Sequence, residues 1–384
     1  MTAAVPVTRP RLRIHAAAVA GAFMLNGASF GIWAARIPAV KAQTGLDAAG
    51  LGFALLGASV GAVLTMTLGG WLGSKFGTHV MTPLTTIGCA VMMVFIGASF
   101  DFASLLLSLL VFGVCQGTMD VSMNANGIAV EHAGAGPIMS RLHASWSIGA
   151  FAGALVSTQV AALGIPVLPE FAVAAAGLGI GGVVLKFTML PDKHAEGGGR
   201  IQLPNGPLVL LGFLALCGLM AEGSATDWSG VYLQSTMQAS QGVAGLAVTV
   251  FTGSMAVARL GGDRLSLRLG SARLVGGGAA LAALGLGLAL AAQVPAVAIV
   301  GFGLMGLGLA AVVPTLFRAA GSQPGIPASV GIAAVSTMGY AGGLIGPPVI
   351  GTVAELATLR GSLVIILVML LILVIAGHRA LAAT

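Results

Sequence analysis

PDKHAEGGGRIQLPNG, residues 191–206, is the longest polar break in a chain that is otherwise a succession of apolar runs. Gly197 to Gly199 make it flexible, and Pro191, Pro204 and Pro207 end the helices beside it. It falls near the middle of 384 residues, so it reads as a linker between two halves of similar size.

Outward from the linker, breaks at charges, prolines and glycine pairs divide the rest into stretches of about 20 mostly apolar residues, the length that spans a bilayer. Twelve are expected, near 14–37, 48–72, 79–99, 102–126, 140–163, 167–190, 206–231, 243–262, 273–293, 295–318, 327–351 and 358–378. Composition agrees: 57% of residues are hydrophobic and only 7% charged, against roughly 25% charged in a soluble domain. Mean hydropathy is +1.02, and the 59 glycines suit membrane helices that pack closely. The apolar runs are continuous rather than alternating, which excludes a β-barrel. The expected fold is an all-α polytopic membrane protein of two pseudo-symmetric six-helix bundles, residues 1–190 and 207–384, joined by a cytoplasmic linker at 191–206.

Charge sets the orientation. With the N-terminus inside, the inner side collects Arg9, Arg11, Arg13, Lys75, Arg141, Lys186, Lys193, Arg200, Arg264, Arg268, Arg273, Arg318 and Arg379, while the outside holds only Arg36, Lys41 and Arg360. That bias places both termini in the cytoplasm of a bacterial-type inner membrane. The net charge of +6 is spread over loops rather than clustered, so no nucleic-acid partner is expected. Cys89, Cys115 and Cys217 lie inside apolar runs without CxxC spacing and read as packing residues.

The halves share an internal repeat. Phe112-Gly113 and Phe302-Gly303 stand at the same offset as Gly149-x-x-Ala152-Gly153 and Gly339-x-x-Gly342-Gly343. Lys75-Phe76-Gly77 and Arg268-Leu269-Gly270, and Asn26-Gly27 and Glu222-Gly223, follow at nearly that offset. Such repeats produce two structurally equivalent halves related by an axis along the membrane normal.

Twelve spans, a central linker and short basic loops together resemble the major facilitator superfamily over essentially the whole chain. Gly70-Trp71-Leu72-Gly73-Ser74-Lys75-Phe76-Gly77 is similar to that superfamily's loop signature between spans two and three. It departs in having Ser74 where an Asp is usual, while the second-half copy keeps an acid at Asp263. GxxDxxxN at Gly117, Asp120 and Asn124, followed by RLHASWSIGA from Arg141, resembles the fucose-permease type of sugar/proton symporters. IWAARIP (32–38), MDVSMNANG (119–127), SRLHASWSIG (140–149) and AEGSATDWSGVYL (221–233) resemble YbjJ-type inner membrane proteins. The fifth span has no proline, so the antiporter signature of many drug/proton exchangers is missing.

Ionisable groups within spans are costly and so are the first candidates for function. Asp120 is the leading proton-coupling candidate, because a carboxylate away from water is expensive to keep charged and suited to exchanging a proton. The alternative is an acid permanently bonded to a neighbouring Ser or Asn. Its repeat equivalent is Ala310, so the acid is not a requirement of the scaffold. Glu222 in the seventh span, equivalent to Asn26 in the first, is the second proton-coupling candidate; the alternative is a hydrogen bond to Ser224 or Thr226.

Asn26, Asn124, Asn126, His143, Trp146 and Tyr340 are candidate substrate-binding residues. Asn124 shares a helical face with Asp120, and amides bind polar solutes without the cost of a charge. Their alternative role is hydrogen-bonded glue between helices. His143 can relay protons and Trp146 can stack on a sugar ring. Arg36 and Asp227, at the outer ends of the first and seventh spans, are expected to pair as a gate. Lys75, Glu131, Arg141, Asp263 and Arg264 are expected to form a cytoplasmic network, with Glu131 and Arg141 as an ion pair. Pro314, Pro347 and Pro348 suggest bent or broken helices.

Catalytic motifs are missing: there is no P-loop, HExxH, nucleophile elbow or paired-Cys metal site. No enzyme activity, cofactor or metal is expected. The expected function is alternating-access transport of a small polar, sugar-like or other metabolite, coupled to protons, by a monomer in the lipid bilayer. Export-directed or uncoupled transport is the alternative, and a transporter-like sensor a weaker one.

Overall fold

A computed structural model describes residues 9–192, 206–324, 326, 328–377 and 380–381. At residue 9, 66–71, 207, 262–267 and 328–329 it describes the backbone only. The linker residues 193–205 lie outside the described residues.

The first half comprises α1 (Arg9–Thr44), α2 (Ala48–Phe76), α3 (Thr78–Gly97), α4 (Phe102–Val130), α5 (Met139–Ala162) and α6 (Val167–Thr188). The second comprises α7 (Pro207–Met237), α8 (Gln241–Leu269), α9 (Ser271–Ala291), α10 (Pro295–Leu309), α11 (Val312–Gly321), α12 (Ala328–Leu356) and α13 (Leu359–Ile372). These are the twelve expected crossings, because α10 and α11 are two pieces of one. Pro314 explains the division: it has no N–H to offer the carbonyl of Ala310, and its ring would clash there. Pro347 and Pro348, by contrast, lie inside a helix that continues through them.

Among the described residues, eleven segments are long and apolar enough to cross a membrane. The fifth crossing, α5, has 24 residues but is more polar, since it carries Ser140, Arg141, His143, Ser145, Ser147, Ser157 and Thr158. Its polarity is the first sign that it faces something other than lipid. Elsewhere large apolar side chains such as Val173, Phe187, Leu284 and Ile375 are exposed on the outside, as lipid contact requires.

The repeat is visible in the packing. In the first half α1 lies on α5, α2 on α4 and α3 on α6; in the second α7 lies on α12, α8 on α10 and α9 on α13. Gly149 and its repeat counterpart Gly339 both lie at close helix contacts, as do Gly153 and Gly342, whereas Gly343, the counterpart of Gly153, leaves open space. A Cβ at Gly149 or Gly153 of α5 would collide with the carbonyl oxygens of Met24 or Ala28 on α1. Gly339 and Gly342 of α12 are pressed in the same way against Ala215 and the Leu216 carbonyl of α7. Lipid tails offer little hydrophobic drive between helices, so this close van der Waals contact is a main source of cohesion.

Polar ties complete each half. Asp192, just after α6, accepts from Thr78 N (3.0 Å) and Thr78 Oγ1 (2.6 Å) at the start of α3, where the N-cap is Gly77 and supplies no side chain. At the other end of the first half Arg36 Nε lies 3.0 Å from Glu170 Oε2, both side chains buried. The second half repeats that tie with different chemistry. Tyr232 stands to Arg36 as Glu222 stands to Asn26, and the Tyr232 hydroxyl accepts from Arg360 Nε at 3.3 Å.

Candidate functional site

A cavity of about 1280 Å³ lies between the halves, walled by α5 on one side and by α7, α8, α10, α11 and α12 on the other. Exposed Arg141, near the start of α5, and exposed Arg318, near the end of α11, stand at its rim. Those helix ends face the same side as the start of α1, where His15 Nδ1 meets the Thr188 carbonyl at 2.8 Å.

At the opposite side the halves are shut against each other. Thr158 Oγ1 and Thr249 Oγ1 are 2.9 Å apart across α5 and α8. Ser59 Oγ on α2 donates to the Gly343 carbonyl on α12 at 3.0 Å. Small residues let the helices meet there: Gly245 of α8 sits on Thr158, and Gly230 of α7 on Pro38.

Midway along the cavity, Arg259 Nη2 lies 3.3 Å from Glu222 Oε1, with side-chain exposures of 30% and 23%. Arg259 also crosses to the first half, donating from Nη1 to Ser147 Oγ at 3.3 Å. The pair is long and reachable from the cavity, so a bound solute can compete for either partner. The Glu222 carboxylate therefore has a cation as partner rather than Ser224 or Thr226; Thr226 Oγ1 is turned to the Glu222 and Gly223 carbonyls. Arg259 was not among the sequence candidates. The signal was present, since it is a guanidinium inside the eighth apolar run.

His143, Trp146 and Tyr340 line the same cavity. The His143 ring stands edge-on to Phe23, with centroids 5.2 Å apart, and lies in the field of Arg259. Tyr340 is 41% exposed and lies within the electrostatic reach of both Asp120 and Glu222. Asp120 itself is exposed, and Asn124 Nδ2 donates to its carbonyl (2.8 Å) and to its Oδ1 (3.2 Å). The spacing of these two residues puts them together as expected.

Asn26 is buried rather than open to the cavity. It donates to Gln116 Oε1 and accepts from Trp146 Nε1, each at 2.8 Å, and so fixes the indole that does line the cavity. Gln116 is a second group the sequence reading missed. Asn126 is a correction: fully buried, it donates to Thr78 Oγ1 and the Leu190 carbonyl at 2.9 Å each. It lies on another face of α4 from Asp120 and ties that helix to α3 and to the chain after α6.

Two expected ion pairs are replaced by others. Arg36 does not pair with Asp227; it holds Glu170, donates to the Ile165 carbonyl and reaches Gln241 Oε1 on α8 at 3.4 Å. Glu170 is closer because α6 packs against α1 in the same half. Glu131 does not pair with Arg141. Its carboxylate accepts from the backbone N–H groups of Ile138 and Met139 (2.5 and 3.0 Å) at the start of α5, where unpaired donors are concentrated. Arg141 instead donates to the Pro137 carbonyl at 3.3 Å. Lys75 Nζ lies 5.3 Å from the Phe76 ring centroid, and the side chains of Asp263 and Arg264 lie outside the described residues. No cluster of His, Cys, Asp and Glu suited to a metal ion occurs among the described residues.

A solvent-reachable cavity that holds an ion pair between two repeated six-helix halves and is shut at one end is the architecture of a secondary carrier. The family model of the Major Facilitator Superfamily matches residues 19–322, and the chain belongs to that superfamily. It is 34% identical over 347 residues to "Uncharacterized transporter y4wD" of Sinorhizobium fredii, covering 89% of this chain and 92% of that one. It is 32% identical over 368 residues to "Membrane protein MosC" of Rhizobium meliloti, covering 94% and 88%. Among solved structures it resembles the nucleoside transporter NupG, with a TM-score of 0.78, 14% identity and coverage of 95% and 99%. It also resembles a bacterial homologue of the lysosomal transporter Spinster, with a TM-score of 0.74, 13% identity and coverage of 98% and 99%. At those identities the likeness concerns the fold. The protein is a membrane transporter of this superfamily.

Proposed function

We propose that the chain carries a small polar metabolite across a bacterial inner membrane by alternating access, coupled to protons, with both termini in the cytoplasm. The observation that carries this reading is the Glu222–Arg259 pair, exposed to a cavity that is sealed on its far side. Protonation of Glu222 frees Arg259 for an acidic or hydroxylated group of the solute. Deprotonation restores the pair and expels the solute. Asp120, an exposed carboxylate of α4 bonded to Asn124, is the second protonatable group in this reading. Trp146, fixed by Asn26, offers an aromatic face to the solute. The resemblance to fucose-permease-type symporters, which rests on the motifs around Asp120 and His143, supports a sugar-like solute.

Thermal-shift screening of the purified protein against sugars, amino acids, nucleosides and organic acids identifies a ligand, whose uptake is then followed in proteoliposomes. The expected result is uptake driven by an inward proton gradient, lost in the double variant Asp120→Asn with Glu222→Gln. Arg259→Gln lowers it by about tenfold, the equivalent of one charged hydrogen bond of about 1.5 kcal/mol. Uptake that ignores the gradient and survives the double variant overturns proton coupling.

A further inference from the structure

A second cavity, about 260 Å³, lies between α1, α2 and α4 of the first half and α7 and α12 of the second. Phe30, Trp33, Phe112 and Trp228 wall it, and Asp227 is its carboxylate. Asp227 follows Glu222 by roughly one and a half turns of α7, so this cavity lies beyond the Glu222–Arg259 pair on the way to the sealed side.

Asp227 has no hydrogen-bond or ion-pair partner among the described residues, and the cations of the neighbouring helices are engaged. Arg36 of α1 is held by Glu170, Arg259 of α8 by Glu222, and Arg360 of α13 by Tyr232 and the Ala292 carbonyl. No Lys, Arg or His lines the cavity, nor does any acid besides Asp227. Ser224 Oγ and Trp228 Nε1 are buried without hydrogen-bond partners. A charged carboxylate in such a place needs a cation, and the walls select which kind. Aromatic faces attract organic ammonium groups, whereas a hard metal ion asks for a shell of oxygen ligands. Oxygen donors are scarce here: the Ser59 hydroxyl is spent on the Gly343 carbonyl and Thr226 on its own helix. Room remains at Gly223 and Gly343, where an added Cβ would meet nothing within 4 Å.

We infer that the Asp227 cavity is a binding site for a small organic ammonium ion, its charge on Asp227 and its alkyl groups against Trp33, Trp228, Phe30 and Phe112. This rests on the transport reading only in making the ammonium group a feature of the cargo, so binding is measured without transport. Tryptophan emission of the purified protein is titrated with choline and with ethanolamine, against sodium chloride of equal ionic strength. The expected result is a saturable change with at least one amine and none with sodium. Asp227→Asn weakens it by about tenfold or more, the loss expected for a charged hydrogen bond, and Asp227→Glu recovers part of it. Gly343→Leu, which fills the cavity, abolishes it. The double variant Asp120→Asn with Glu222→Gln keeps it even where coupled uptake is lost, which separates this site from the proton reading. No saturable change with either amine, a response unaltered in both Asp227→Asn and Gly343→Leu, or a response to sodium alone overturns the inference.

Discussion

At the scale of single residues, the amides divide by what they touch. Asn124 serves Asp120, whereas Asn126 joins three chain segments in the dry interior of the first half. Asn126→Ala removes two buried hydrogen bonds and leaves the Leu190 carbonyl unsatisfied, which costs about 2 kcal/mol. The expected outcome is a lower unfolding midpoint in detergent with uptake per folded molecule unchanged; a loss of uptake at wild-type stability would return Asn126 to the binding site. Sequence alone brought Asp120 and Asn124 together because one turn of helix relates them. Spacing already set Asn126 on another face of the helix, but it could not name the partners, since Thr78 and Leu190 are 48 and 64 residues away. The same holds for Arg36: two charges at similar depth suggested Asp227, but helix packing within the half decided for Glu170. Arg259 was overlooked because the hydropathy of its run let one cation pass.

At the scale of helices, the repeated glycines were legible and their work is now specific. Gly149 and Gly153 admit α1 to α5, and Gly339 and Gly342 admit α7 to α12. Gly149→Val places a branched side chain against the Met24 carbonyl and is expected to destabilise the first half by about 1–3 kcal/mol, the usual cost of overpacking. Thermal unfolding in detergent checks this, with Gly277→Val as the control, since a Cβ at Gly277 meets nothing within 4 Å. Equal midpoints for the two variants would show that the α1–α5 approach is slack. The repeat is incomplete at one place. Asp120 sits in an unbroken α4, while its counterpart Ala310 is the point where the tenth crossing breaks. Pro314 announced that break in the sequence; Pro347 and Pro348 announced one that α12 does not make.

At the scale of the whole molecule, the cavity is open toward the side that holds the start of α1 and shut where Thr158 meets Thr249. Replacing both threonines by cysteine, with Cys89, Cys115 and Cys217 removed, puts two thiols within bonding reach of each other. Oxidation is expected to cross-link α5 to α8 and stop uptake, and a reductant to restore it. A complete cross-link with undiminished uptake would mean that this seam never opens. The two-half architecture was readable from the run lengths and the repeat, but which end is shut was not, because both ends use the same residue types.

The ion pairs Arg36–Glu170 and Glu222–Arg259 each join two helices of one half, whereas the halves meet through single hydrogen bonds: Thr158–Thr249, Ser59–Gly343, Arg36 to Gln241 and Arg259 to Ser147. Breaking a buried pair such as Arg36–Glu170 by removing one partner costs about 3–5 kcal/mol, and an ordinary hydrogen bond contributes only about 1 kcal/mol net. The molecule is thus built as two stiff blocks on a slippery joint. A seam held by single hydrogen bonds, with no ion pair described across it, can part and re-form in every cycle while the blocks on either side keep their shape.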